Sequence, residues 1–118
     1  HWMEEAQHAK LDTLMVEALA ESCSDAEIAA AFDEYLQIGM FVDDGLAQQV
    51  ELTLDAFTRA TGRILSPGER RRFIDVQRQA ARWTFIGSGM NHPKLVGTIE
   101  RLNPALRTKL EEIAPAFS

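Results

Sequence analysis

The stretch SDAEIAAAFDEYLQIGMFVDDGLAQQVELTLDAFTRATG, residues 24–62, decides the fold. Ser24-Asp25-Ala26-Glu27 is a capping box: the Ser24 hydroxyl accepts from the amide three residues on, and the Glu27 carboxylate reaches back to the Ser24 amide. Gly62 is a C-cap signal at the other end. Between them the pattern predicts one long helix, from about Asp25 to Thr61. At about 100° per residue, Phe32, Leu36, Gly39, Met40, Asp43, Ala47, Val50, Leu54 and Phe57 share one face. Phe41 and Leu52 lie on the other side, where a further helix or a second subunit would cover them. Gly39 and Gly45 each cost about 1 kcal/mol of helix propensity against Ala. They mark either close helix packing or a break that splits the helix in two.

The flanking sequence is helical as well. Leu11, Met15, Ala18 and Leu19 recur at three- and four-residue spacing, which predicts a first helix from the start to about Ala20. Ser66-Pro67-Gly68-Glu69 is a second capping box with Pro at the first helical position. It predicts a third helix from Pro67 to about Gly87, with Phe73, Val76, Gln77, Ala80, Thr84 and Gly87 on one face and Trp83 beside it. Gly87-Ser88-Gly89-Met90-Asn91 reads as a turn. Asn91 or His92 caps a short helix through about Leu102, and Asn103-Pro104 starts a last one to about Ile113. No period-2 strand run and no internal repeat is present. Five helical stretches with short links make a single all-α domain over residues 1–118, an antiparallel helix bundle.

Composition sets the outer bounds. The chain has 118 residues, 46% hydrophobic and 25% charged, which suits one globular domain. Such a chain can bury roughly two thirds of its unfolded surface. A formal net charge of −6 argues against nucleic acid and anionic membranes as partners, and Glu69-Arg70-Arg71-Arg72 is too short a basic run to reverse that. No apolar run reaches the length of a membrane span, and no signal peptide is visible. The single cysteine, Cys23, excludes an internal disulfide and fits a reducing compartment, so a cytoplasmic location is expected. The sequence opens in mid-pattern without Met, which reads as a fragment or a half of a larger bundle.

The opening residues, HWMEEAQHAK, carry the chemistry. On a helix His1, Glu5, His8 and Asp12 fall at i, i+4, i+7 and i+11, one stripe, and its continuation is Met15 and Leu19. The stripe is therefore expected to lead into the core-facing side of the helix. Glu5-x-x-His8 sets a carboxylate and an imidazole one turn apart on one face. This is the spacing of dinuclear sites inside helix bundles, and oxygen with imidazole nitrogen suits iron or manganese. The alternative is a solvated charged face. Asp43, at the centre of the apolar face of the long helix, is expensive to bury alone. Its partner is an arginine such as Arg78 or Arg82, a cap-like hydrogen bond, or a metal ion. His92 reads as a turn or cap histidine. Cys23 has no His or Asp at an informative spacing, and Trp83 and Phe85 read as core or interface.

His1-Trp2-Met3-Glu4-Glu5-Ala6-Gln7-His8 fits HxxxExxH and resembles the ligand helix of ferritin-like di-iron oxygenases, in particular the p-aminobenzoate N-oxygenase type. The resemblance covers about eight residues and the all-helical layout. It implies a ferritin-like fold, with His1 and His8 as imidazole ligands and Glu5 as the carboxylate of a two-ion iron or manganese site. It implies dioxygen and a small organic substrate, an amine in the N-oxygenase type. The departure is that no second Glu-x-x-His is present, and Gln77 and Thr84 stand at the inward positions of the third helix, as a degenerate site or as hydrogen-bonded core groups. The site would be incomplete in this chain, finished by a preceding segment or by a partner. The reading from another class is a non-catalytic helical module that dimerises or binds a partner helix through Phe41, Leu52 and Trp83.

Overall fold

A computed structural model describes residues 2–117, the side chain of Trp2 excepted. The capping boxes act as read. Ser24 and Glu27 exchange hydrogen bonds at the start of α2 (Asp25–Thr61), and Ser66 and Glu69 do the same for α3 (Pro67–Arg82). Gly62 closes α2 in the left-handed conformation, φ 66°, where its amide donates to the Thr58 carbonyl. The glycines at 39 and 45 do not split α2, which is continuous through both.

The chain forms an all-α helical bundle. α1 (Trp2–Ala20) precedes α2. After α3 the chain takes one π-helical turn, Trp83–Gly87, and a short α4 (Ser88–Met90). α5 (Pro93–Leu102), α6 (Pro104–Ile113) and a 3₁₀ turn, Ala114–Phe117, finish the described chain. His92 is the N-cap of α5, with Nδ1 accepting from the Lys94 amide, and Asn103 caps α6 through Oδ1 to the Ala105 amide. Helix thus replaces the turn expected at 87–90, and the chain bends only at Asn91.

α2 is the spine. Its 37 residues span about 55 Å at 1.5 Å each, close to the 57 Å long axis of the whole chain. α3 runs back along its C-terminal half, where Phe57 and Phe73 stack with ring centroids 5.5 Å apart and Leu54 is fully buried. The N-terminal half meets the end of the chain: Phe32, Leu36, Ile86, Met90, Leu106, Leu110, Ala114 and Phe117 form one core cluster. Gly87 makes the last of these contacts. A Cβ there would sit 2.2 Å from the Phe117 carbonyl oxygen, so only glycine lets the 3₁₀ turn close on this helix.

Two expected faces change. In α3, Val76, Gln77, Ala80 and Thr84 are exposed, and the partly buried positions include Phe73, Ile74, Arg78, Ala81 and Arg82. Gln77 and Thr84 are therefore solvent-facing rather than core groups. Arg78, Arg82, Ile86 and Met90, four apart, would drift about 120° round a regular α-helix. The wider π turn takes out part of that drift, so arginines and core residues follow one line. In α1 the partly buried positions are Thr13, Glu17 and Ala20, and Ala6, Ala9 and Val16 border clefts against α5. Leu11, Met15 and Leu19 are 55%, 54% and 65% exposed, so the His/Glu stripe does not lead into a core within the described residues. Trp83 and Phe85 are also exposed.

Candidate functional site

Two places in the fold hold the sequence candidates, and they are separate. The first is on α2. Asp43 is buried, and its two carboxylate oxygens take a fork from Arg82: Nε donates to Oδ1 and Nη2 to Oδ2. Arg78 Nη2 adds a longer contact to Oδ2 at 3.4 Å. The hydrogen bonds from Arg82 hold the Asp43 carboxyl below its ordinary pKa against the opposing effect of burial, and the same pair raises Arg82. The arginine pairing expected for Asp43 is present. Guanidinium groups of Arg82 and Arg78 thus take up both carboxylate oxygens of Asp43. This pair is the ionic clamp between α2 and α3.

The second place is α1. Glu5 and His8 are exposed on the same face of the helix, one turn apart, and Asp12 is exposed one turn further on. His1 lies outside the described residues. Glu5 and His8 offer one carboxylate and one imidazole, the donor chemistry of a half-site for iron or manganese. Asp43 does not join them: among the described residues no three His, Cys, Asp or Glu side chains gather closely enough to hold a metal ion. The lone Cys23 is exposed, with its thiol donating to the Leu19 carbonyl.

Pairings over long sequence separation hold this second place in position, and the sequence carried no local signal for them. Arg101 of α5 pairs with Glu17 and donates to the buried Thr98 hydroxyl at 3.0 Å, which fastens α1 to α5. Lys109 of α6 pairs with Asp33 of α2. Between α1, α2 and α5 lies an apolar cleft of ≈ 370 Å³, walled by Val16, Leu19, Phe32, Tyr35, Ile99 and Leu106 among others. Burial beside it raises the Tyr35 phenol above its usual pKa. α1 therefore rests on α5 and stands away from α2, with Glu5, His8 and Asp12 exposed.

No protein-family model, curated protein or solved structure matches this chain. Among the described residues, no helix is long and apolar enough to cross a membrane.

Proposed function

We propose that this chain contributes a ligand helix to a ferritin-like dinuclear site of iron or manganese that oxidises a small organic substrate, an amine by the resemblance of its opening motif. The observation that carries the reading is the exposed Glu5-x-x-His8 turn on α1, continuous with the uncovered apolar residues Leu11, Met15 and Leu19. A ligand pair that leads into an uncovered apolar stripe is the pattern of a helix whose inner face is completed by other helices. Glu5 would bind through carboxylate oxygen and His8 through imidazole nitrogen, with His1 as a third ligand by the motif. When bound, the metals would supply dioxygen chemistry. The role of this chain is to hold Glu5 and His8 in register on a rigid helix and to present apolar surface that excludes water from the site. The remaining carboxylates would come from outside the described residues. The test is metal content after expression with iron and manganese, for the wild-type chain, Glu5→Ala and His8→Ala. Near-stoichiometric metal that both variants lose supports the reading. Metal retained in both variants overturns it.

A second reading is favoured by a different observation, the apolar face of α2 opposite its buried side, where Phe41 and Leu52 are 79% and 61% exposed. On that reading the chain is a helical association module that forms a homodimer. Sedimentation of the chain across concentrations tests it, and a monomer at every concentration would exclude it.

A further inference from the structure

Ile38, Phe41, Gly45 and Leu52 lie within about 60° of one another on α2, on the side away from Phe32, Leu36 and Leu54. All three apolar side chains of this stripe are more than 60% exposed, and a Cβ on Gly45 would meet nothing within 4 Å. Gly45 thus has no packing role inside the chain. The spacing around it is symmetric, since Ile38 stands seven residues before it and Leu52 seven after. Glu34 extends the same face toward the N-terminus and Arg59 extends it toward the C-terminus.

From this arrangement, and resting on the association reading just given, we infer that a second copy of the chain packs antiparallel along α2, on a two-fold axis at Gly45. The glycines face each other and let the backbones approach. Ile38 of each copy meets Leu52 of the other, and Phe41 covers the glycine gap. Glu34 falls about 4.5 Å along the axis from Arg59 of the opposite copy, within the reach of an arginine.

Two whole-chain quantities support a second copy. A compact monomer of 13.2 kDa exposes about 6,400 Å², whereas this chain exposes 8618 Å². The surplus of about 2,200 Å² per copy, about 4,400 Å² for a pair, lies in the range that obligate homodimers bury. Charge sets the direction. Residues 1–34 hold nine acids and one lysine, a balance of −8, and residues 59–72 hold five arginines and one glutamate, a balance of +4. An antiparallel pair sets each acidic end beside a basic end, and a parallel pair would set like beside like.

The test uses sedimentation of the full chain with disulfide trapping. Wild type is expected to run as a dimer at micromolar concentration. Phe41→Glu and Gly45→Leu, both at open positions, are expected to weaken it at least tenfold while leaving the circular dichroism helical. In a Cys23→Ser background, a mixture of Ile38→Cys and Leu52→Cys chains should cross-link to each other and not to themselves. A monomeric wild type overturns both this inference and the association reading. A dimer indifferent to Phe41→Glu and Gly45→Leu, or trapped as 38 to 38, leaves association standing and overturns the antiparallel α2 interface. A monomer that captures a separate helical segment on Phe41 also overturns it.

Discussion

At Asp43 one residue ties two helices together. Its carboxylate is buried at the centre of α2 and reaches Arg78 and Arg82 of α3. Removing one partner of such a pair leaves a buried charge, which costs about 3 kcal/mol. Asp43→Asn and Arg82→Met are each expected to lower stability by about that much in urea unfolding. Arg78→Met should cost less than about 1 kcal/mol, because Arg78 is 41% exposed and its contact is longer. The pH dependence follows from the lowered pKa of Asp43. The unfolded carboxylate near pH 4 takes up protons before the folded one does. The stabilisation is therefore complete above about pH 4 and is lost as pH falls toward the folded pKa. Asp43→Asn should flatten stability against pH in that acid window, and an unchanged slope would remove Asp43 from the account.

Among the elements, α3 and its π turn carry the largest departure from local pattern. The sequence face built on Val76, Gln77, Ala80 and Thr84 is exposed because the Arg78 and Arg82 pairing with Asp43 outweighs the modest apolar content of that face. The turn expected at Gly87-Ser88-Gly89 is helical because Gly87 sits under the Phe117 carbonyl, where packing rather than turn chemistry needs a glycine. Gly87→Ala would raise helix propensity in isolation. In the fold it forces the C-terminal 3₁₀ turn off the core, an overpacking cost of about 1–3 kcal/mol. The expected outcome is a lower Tm with faster amide exchange in residues 110–117. A Tm at or above wild type would show that the contact is not needed. The two capping boxes, by contrast, were legible from four residues each, because both partners of every bond lie within one turn.

As a whole molecule the chain is long and thin, with a radius of gyration of 18.1 Å against about 13.5 Å for a compact domain of its length. A spine helix with helices along one side buries one face of α2 and leaves the other exposed. If a second copy supplies that partner, stability is linked to concentration by mass action. The Tm is expected to rise steadily between about 1 and 100 μM chain. At a fixed concentration high salt should lower it, since screening weakens the attraction between acidic and basic ends. A Tm independent of concentration would mean that the elongated chain is stable alone.

The sequence by itself determined the all-helical class, the bounds of α1 and α2, the caps of α2, α3, α5 and α6, and the buried face of α2 with its aspartate, apart from Met40, which is 55% exposed. These follow from interactions within one or two turns and from a period of 3.6, both readable along the chain. The tertiary structure decided the rest. It paired Asp43 with Arg82, turned α3 about that pair, laid α1 on α5 with Glu17 joined to Arg101, and left Glu5 and His8 facing outward. Each of these depends on which residues distant in sequence meet. Those meetings are set by competition for partners across the fold, which no local spacing encodes.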